Sequence, residues 1–136
     1  REDLLSFEAS RISAKKAYAE AKISPSDIDI VETYDSSTIM GVIALEDLGF
    51  AQKGEGAAFV KDGNIATDGK LPTNTMGGLK GRGHPIGATG VYQIVEIVQQ
   101  LRSEADKNQV AKAKIGLSHC IGGTGSCSVV NILRRP

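Results

Sequence analysis

The sequence predicts a layered α/β domain, and three observations carry that prediction. Two segments, 5–22 and 88–102, have the helical spacing of apolar residues, while 28–33 alternates apolar and acidic residues as a strand does. Two further strand-like segments, 114–120 and 126–133, follow each other near the end of the chain. The resulting order, α-β-α-β-α-β-β, is that of helices layered on a sheet.

The first half of the chain contains three predicted elements. Residues 5–22 lack Gly and Pro and are expected to form an amphipathic helix that ends at Ser24-Pro25. Residues 28–33 follow as a strand. Asp35, Ser36 and Ser37 are candidate N-caps for a helix that runs to about residue 48 and ends at Gly49. The apolar stripe predicted for the first helix is Phe7, Arg11, Ala14, Tyr18 and Ala21.

The second half begins with a polar, glycine-rich stretch at 52–69, which we predict to be a long excursion of the chain over the surface, that is, a surface loop. Residues 71–74 are expected to form a short strand, and 88–102 a helix. Residues 114–120 and 126–133 are expected to be strands joined by a glycine-rich loop. The predicted apolar stripe of the 88–102 helix is Val91, Ile94, Val95, Val98 and Leu101.

Composition limits the function classes. The 136 residues suit one domain, and 16 basic against 16 acidic side chains give no argument for binding nucleic acid or an anionic membrane. No apolar run approaches the ~20 residues of a membrane span, and the N-terminus lacks a signal-peptide pattern. These observations predict a cytoplasmic protein in which Cys120 and Cys127 are free thiols.

A glycine-crowded loop at 74–90 carries His84, one of two histidines. Its glycines at 81, 83 and 87 are spaced one residue too widely for the dinucleotide fingerprint, and no P-loop pattern occurs. The loop instead permits close approach of the backbone to a ligand, and Pro85 fixes His84 just ahead of a helix. This predicts an oriented imidazole; the alternative is that His84 only stabilises the loop by hydrogen bonding.

A second glycine loop, at 119–125, carries Cys120 at the end of a strand. Ile121, Gly122 and Gly123 place backbone N–H groups beside the sulfur, as an oxyanion site requires. Cys120 is thus a candidate acid/base, with a buried inert thiol as the alternative. His119 is expected to point to the opposite face of the strand and to be structural, and Cys127 is expected in the core. No metal site is expected.

The two loops, GGLKGRGHPIGATG and HCIGGTG, resemble the two C-terminal signatures of the thiolase family. The likeness extends to 29–32, 45–50, 54–56 and 71–74, and is greatest to archaeal and sterol-carrier-protein-type thiolases. It implies the C-terminal half of the thiolase fold, with a mixed sheet. It also implies Claisen chemistry on 3-ketoacyl-CoA, with a coenzyme A thioester as substrate and no cofactor.

The resemblance assigns roles to individual residues. His84 matches the histidine that activates the nucleophile and donates a hydrogen bond to a thioester oxygen. Cys120 matches the acid/base cysteine, and Gly122 matches the glycine whose N–H helps form the oxyanion hole. Contacts of Arg11, Lys80 or Arg82 with coenzyme A phosphates are a weaker expectation, since each is otherwise a solvated charge.

Two departures from the family pattern bear on function. Tyr34 stands where the family usually has Asn or His, a position that helps hold an oxyanion-hole water. A tyrosine there also resembles thiolase-like relatives that perform retro-aldol cleavage; the alternative is a packed strand-end aromatic. In addition, no position matches the nucleophilic cysteine of the family's N-terminal half. We therefore expect residues 1–136 to be an incomplete C-terminal domain, inactive by itself.

Three functions remain open: the C-terminal part of a thiolase-type acyltransferase, a thiolase-like lyase or aldolase, and a non-enzymatic acyl-CoA or lipid-binding module. The resemblance implies a homodimer or tetramer, with a hydroxymethylglutaryl-CoA synthase and a bridging protein as partners. It also implies that the chain lacks the first strand of its half, which would lie at the centre of a sheet ordered 3-2-1-4-5. We accordingly predict a central gap with exposed strand edges.

Overall fold

A computed structural model of the chain describes residues 3–136 and confirms the layered α/β architecture. Short 3₁₀ turns lie at Pro25–Asp27 and Asp106–Asn108. The α-helices of this part of the chain are α1 (Glu8–Ala21), α2 (Thr38–Asp47), α3 (Gly56–Lys61), α4 (Gly78–Arg82) and α5 (Thr89–Arg102), and its strands are β1 (Ile30–Glu32), β2 (Ile115–Gly122) and β3 (Cys127–Arg134).

The sheet is mixed, with the order β1-β2-β3. β1 runs parallel to β2 with Val31 opposite Leu117, and β2 runs antiparallel to β3 with Cys120 opposite Val129. The predicted central gap is therefore wrong. Direct backbone pairing of β1 with β2 leaves no room for a strand between them.

The strand predicted at 71–74 is reduced to a single bridge beside β1. Thr73 pairs with Val31, whose N–H donates to the Pro72 carbonyl at 3.0 Å and whose carbonyl accepts from the Asn74 N–H at 3.0 Å. Asn74 then adopts a left-handed backbone with φ 52°, which ends the extended segment. The short contact nevertheless covers the edge of β1 away from β2.

The core lies on both faces of the sheet. Ile30 and Val31 are both fully buried and, as neighbours in a strand, point to opposite faces. One face packs on α1 and α2 through Ala14, Tyr18, Ala44, Leu45, Leu48 and Leu117. The other packs on α5 through Ile97, Leu101, Val110 and Ala113. Helices therefore cover both faces of the sheet.

The predicted orientation of α5 is wrong in part. Val91 and Val95 are 64% and 44% exposed, whereas Gln93 and Gln100 are buried beside Ile97. The glutamines face inward because each satisfies backbone groups there. The Gln93 side chain donates to the His119 carbonyl at 2.8 Å, and that of Gln100 donates to the Asn108 carbonyl at 2.7 Å.

The predicted excursion at 52–69 is not wholly irregular, since it contains α3. Glu46 of α2 holds the start of that helix, because its Oε1 accepts the Gly56 N–H at 2.9 Å. A Cβ on Gly56 would lie 2.8 Å from the Val42 carbonyl oxygen, so the two helices approach too closely for a side chain. Among residues 3–136 no helix is long and apolar enough to cross a membrane.

Candidate active site

The loop that carries His84 is attached to the end of β1 by two side chains. Asp35 accepts the Leu79 N–H at 2.7 Å, and Asn74 accepts the Thr33 N–H at 2.7 Å. Gly78, with φ 56°, fits between them, since a Cβ there would lie 2.5 Å from a carboxylate oxygen of Asp35. These contacts position the segment around α4 across the carboxyl end of β1.

Asp35 was one of three candidate N-caps for α2, but it does not occupy that position. The N-cap position of α2 is Ser37, which makes no side-chain capping hydrogen bond. The Asp35 carboxylate instead binds the first turn of α4, where unpaired N–H groups attract an acceptor.

His84 is half-buried and both of its ring nitrogens are engaged. Nδ1 lies 2.7 Å from the Thr89 hydroxyl, which itself donates to the Pro85 carbonyl at 3.1 Å. We assign that hydroxyl hydrogen to the Pro85 carbonyl, so that Nδ1 is the donor to Thr89 Oγ1. In the neutral ring Nε2 then carries the lone pair, and it accepts the hydrogen bond of Tyr34 Oη at 2.9 Å.

Tyr34 connects the two glycine loops. Its ring is 9% exposed and packs with Leu79 and Ile121 in a cluster that Cys120 also contacts. It stands edge-on to the His84 imidazole, with centroids 5.2 Å apart and planes at 89°. Tyr34 therefore contacts the histidine through its hydroxyl and the cysteine loop through its ring.

Cys120 lies near the end of β2, half-buried against the start of α5. A Cβ on Gly90 would stand 3.4 Å from its sulfur, so the first turn of α5 directly adjoins the thiol. Burial raises the pKa of Cys120, as does Cys127 to a smaller degree, while a hydrogen bond from the Ile121 N–H opposes them. Cys120 is accordingly a protonated thiol at neutral pH.

His119 points to the other face of the strand, as side-chain alternation predicts. It is fully buried, with Nε2 2.9 Å from Ser10 Oγ and Nδ1 accepting the Tyr34 N–H at 3.5 Å. Burial lowers the pKa of His119 to about 4, so the ring is neutral. Its contribution is structural, because it ties α1 to the backbone of Tyr34.

Gly122 is exposed at the end of β2, two residues beyond Cys120 and opposite Cys127 in the ladder. The turn that follows contains Gly123 and Gly125 at positive φ, 61° and 94°. Cys127 is exposed, so its predicted core position is wrong. It is the first residue of β3, directly after the turn.

The three candidate residues for coenzyme A lie on two helices, Arg11 on α1 and both Lys80 and Arg82 on α4. Arg11, on α1, is exposed and paired with Glu8 at 3.2 Å, and Lys80 on α4 is exposed. The guanidinium of Arg82 instead turns inward toward Tyr92 and Glu96. Contact of Arg82 with a phosphate would therefore require those interactions to open.

Sequence reasoning missed the residues that orient His84. Thr89 and Asn74 are polar loop residues with no distinguishing pattern, and their partners are known only from the folded chain. The one available signal was the local sequence from His84 to Thr89, in which a hydroxyl side chain follows the histidine by five residues.

The chain is similar to known proteins along nearly its whole length. Residues 1–135 match the family described as "Thiolase C-terminal domain-like". An acetyl-CoA acetyltransferase of Methanothermobacter thermautotrophicus is 50% identical over 135 residues, which are 99% of this chain and 35% of that protein. Sterol carrier protein 2 of Rattus norvegicus is 38% identical over 131 residues, or 96% of this chain and 24% of that protein.

A solved structure titled "Ltp2-ChsH2(DUF35) aldolase" is also similar, with a TM-score of 0.88 and 32% identity over 99% of this chain and 34% of that chain. The chain thus spans about a third or less of the length of these relatives. The match along nearly all of its sequence, together with the fold, shows that the chain belongs to the thiolase C-terminal domain-like family.

Proposed function

We propose that the chain supplies the C-terminal catalytic part of a thiolase-type acyl-CoA C-acyltransferase, which makes or cleaves 3-ketoacyl-CoA. One observation carries the proposal: a histidine held by hydrogen bonds at both ring nitrogens and a cysteine thiol lie on adjoining loops, joined by Tyr34 and by the start of α5. The similarity to an acetyl-CoA acetyltransferase over 99% of the chain supports it.

The tautomer of His84 suits the activation of a nucleophile. Because Thr89 keeps the proton on Nδ1, the Nε2 lone pair is the basic position of the ring. A nucleophilic thiol elsewhere in the complete protein would displace Tyr34 Oη from Nε2 and give its proton to that nitrogen as it attacks the thioester carbon. The resulting Nε2–H can then donate to the thioester oxygen, which gains negative charge during that attack.

Cys120 suits the proton transfer at carbon. In condensation the Cys120 thiol would first give its proton to the coenzyme A thiolate that leaves as the acyl-enzyme forms. The resulting Cys120 thiolate would then remove a proton from the α-carbon of acetyl-CoA, and the electron pair of that C–H bond would move into the enolate. The enolate carbon would then attack the acyl-enzyme and release the nucleophilic thiol. The positive end of α5, which adjoins the sulfur, favours the thiolate when it forms. In thiolysis the same thiol would protonate the enolate.

A second candidate is retro-aldol cleavage of a 3-hydroxyacyl-CoA. The hydrogen bond between Tyr34 and His84 and the similarity to a structure titled as an aldolase favour it. Tyr34 would remove the proton of the 3-hydroxyl group and pass its own proton to His84. The bond between the α- and β-carbons would break to a carbonyl product and an enolate, which Cys120 would protonate.

The test uses the complete protein, assayed with acetyl-CoA, with acetoacetyl-CoA plus CoA, and with a 3-hydroxyacyl-CoA. For acyl transfer we expect Cys120→Ala and His84→Asn each to lower kcat by about 10²–10⁴-fold, the usual loss on removal of a general acid/base. Cys127→Ala, at the exposed second thiol, is the matched control and should stay active. Condensation retained in both Cys120→Ala and His84→Asn would refute the roles proposed for them.

Tyr34→Phe separates the two candidate reactions. In an acyltransferase the variant frees Nε2 of His84, and condensation should persist within about tenfold. In an aldolase the loss of the hydroxyl should abolish cleavage. The resemblance further suggests that the complete protein is a cytoplasmic homodimer or tetramer that binds a hydroxymethylglutaryl-CoA synthase through a bridging protein, which size-exclusion chromatography and co-purification can check.

A further inference from the structure

A buried charge cluster of Glu32, Arg82 and Glu96 lies close to the Tyr34–His84 pair along the chain. Glu32 ends β1 and is completely buried, and among residues 3–136 neither of its carboxylate oxygens has a hydrogen-bond partner of good geometry, although the Thr75 N–H lies near enough to lower its pKa slightly. Arg82 ends α4, and all its guanidinium nitrogens are likewise buried without a hydrogen bond within that range. Its Nε lies 3.7 Å from Oε1 of Glu96 on α5, with the two side chains 15% and 9% exposed.

Arg82 is held by α5 from two positions one helical turn apart. Its guanidinium carbon stands 4.7 Å from the centroid of the Tyr92 ring, and Glu96 follows Tyr92 by four residues on the same helix face. This double contact fixes the end of α4 to α5. It also explains why the side chain points away from solvent.

The charges within the cluster are balanced. Burial raises the pKa of Glu32 to about 8, and the Glu96 carboxylate raises it while Arg82 lowers it. Glu32 is therefore largely protonated near neutral pH, and the positive charge of Arg82 is left to pair with Glu96. A buried pair of this kind is weak evidence for stability, but it constrains the geometry of the segments that carry it.

The cluster is joined directly to the site by the backbone. Arg82 precedes His84 by two residues, with Gly83 between them at φ 104°, a conformation that side chains rarely adopt. Glu32 precedes Tyr34 by two residues on β1. Tyr34 and His84 therefore each lie two residues after a charged residue of the buried cluster.

We propose that Arg82 is a positioning residue, which sets the location of His84 by fixing α4 to α5, rather than a ligand for a coenzyme A phosphate. Gly83 would otherwise let the loop pivot immediately before the histidine. The reaction affected is the one under the proposed function, on which this role rests. Displacement of a catalytic group by 1 Å can lower a rate about 10²-fold.

The kinetic test uses the complete protein with Arg82→Met combined with Glu96→Gln, so that no unpaired charge stays buried. We expect kcat to fall about 10²-fold while KM for the acyl-CoA changes less than about twofold. Arg82→Lys, which keeps the charge, should recover part of the loss. Arg102→Met, at the exposed end of α5, is the matched control and should retain wild-type kcat. A tenfold rise in KM at unchanged kcat, or wild-type kinetics in the double variant, would overturn the proposal.

A structural readout keeps this test separate from the identity of the reaction. In a crystal structure of the Arg82→Met, Glu96→Gln protein, we expect the distance between Tyr34 Oη and His84 Nε2, 2.9 Å here, to exceed hydrogen-bond range. An unchanged His84 position would refute the role of Arg82 even if the protein proves to be an aldolase. Absence of acyl transfer in the unmutated complete protein, together with a displaced His84 in the variant, would refute the proposed reaction alone.

Discussion

At the scale of single residues, the chemistry of the site depends on one hydroxyl. Thr89 is fully buried at the start of α5, where it accepts from His84 Nδ1 and donates to the Pro85 carbonyl. Without this partner the imidazole can carry its proton on either nitrogen. The basic position would then no longer be confined to Nε2.

We therefore expect Thr89→Val, which has nearly the same shape, to lower kcat of the complete protein by about 10–10²-fold, since orientation and tautomer are lost together. Thr89→Ser keeps the hydroxyl and should retain most of the activity. Steady-state kinetics of the two variants, with thermal unfolding to check folding, make the comparison. Equal activity in the valine variant would show that another group sets the tautomer.

Two buried titratable groups should give stability opposite dependences on pH. His119 has its pKa lowered to about 4, so below pH 6.5 the unfolded chain binds a proton that the folded chain does not. Stability is present above pH 6.5 and is lost as the pH falls toward 4. Glu32 has its pKa raised to about 8, so above pH 4.5 the folded chain holds the extra proton, and stability is lost as the pH rises toward 8.

The contributions of His119 and Glu32 to stability oppose each other between pH 4.5 and 6.5. Above pH 6.5 only the contribution of Glu32 still changes with pH. Between pH 6.5 and 8 we expect stability to fall by up to about 1.4 kcal/mol per pH unit from this group. When the free energy of unfolding is measured by denaturation at a series of pH values, Glu32→Gln should remove most of this decrease. Asp62→Asn, at an exposed position, should leave the decrease unchanged. A Glu32→Gln protein with the wild-type slope would contradict the assignment.

The sequence indicated His84 and Cys120 because rare residue types in glycine loops stand out from the pattern. It did not indicate Thr89 or the Glu32, Arg82 and Glu96 cluster. The roles of these residues depend on contacts that form only in the folded chain. From sequence alone, a threonine or a charged residue is expected to be exposed to solvent. The buried position of Glu32 was not evident from its place in an alternating strand.

At the scale of elements, the packing of α5 on β2 determines where the site forms. Gly116 of β2 lies beneath Ile97, and a Cβ at Gly116 would stand 2.5 Å from Ile97 Cγ2 and 3.2 Å from a methyl carbon of Ile30. The helix therefore approaches the sheet at a distance that only glycine permits. This approach also brings the first turn of α5 against Cys120.

We expect Gly116→Ala to destabilise the protein by about 1–3 kcal/mol, the usual cost of overpacking. Ile97→Ala alone should cost about 2–5 kcal/mol through its cavity. The double variant should be less destabilised than the sum of the two, because the new methyl group occupies space that Ile97 vacates. Chemical denaturation of the four proteins measures the coupling, and strictly additive effects would show that the close contact carries no strain.

Element types were predicted better than the faces they present. Helices α1, α2 and α5 and strands β2 and β3 appear within a few residues of their predicted bounds. The orientation of α5 was missed because its inward glutamines satisfy backbone carbonyls, and hydropathy cannot register that gain. The short helices α3 and α4 were missed because their glycines suggested loops.

At the scale of the whole molecule, the sheet is continuous. β2 is paired along its length with β3 on one side and, at residues 116–118, with β1 on the other. There is therefore no inserted strand between β1 and β2. The predicted gap came from an assumed strand order, which local sequence patterns do not constrain. The arrangement places the end of β1, the His84 loop and the Cys120 loop at one end of the sheet.

This assembled site still lacks one chemical component for acyl transfer. Cys120 and Cys127 are the two cysteines of the chain, and the proposed role of Cys120 is proton transfer rather than acyl binding. Since a covalent acyl-enzyme needs a separate nucleophile, we expect the isolated 136-residue chain to give no turnover of acetoacetyl-CoA with CoA, whereas under the proposed function the complete protein would.

The measurement is loss of acetoacetyl-CoA absorbance together with mass spectrometry for an acyl adduct, after circular dichroism has shown the chain to be folded. An adduct on Cys127 with turnover that Cys127→Ala abolishes would contradict the expectation and identify that exposed thiol as the nucleophile. Cleavage of a 3-hydroxyacyl-CoA by the isolated chain, lost in Tyr34→Phe but not in Cys127→Ala, would instead favour the aldolase. That reaction needs the base formed by Tyr34 and His84 but no acyl-accepting cysteine.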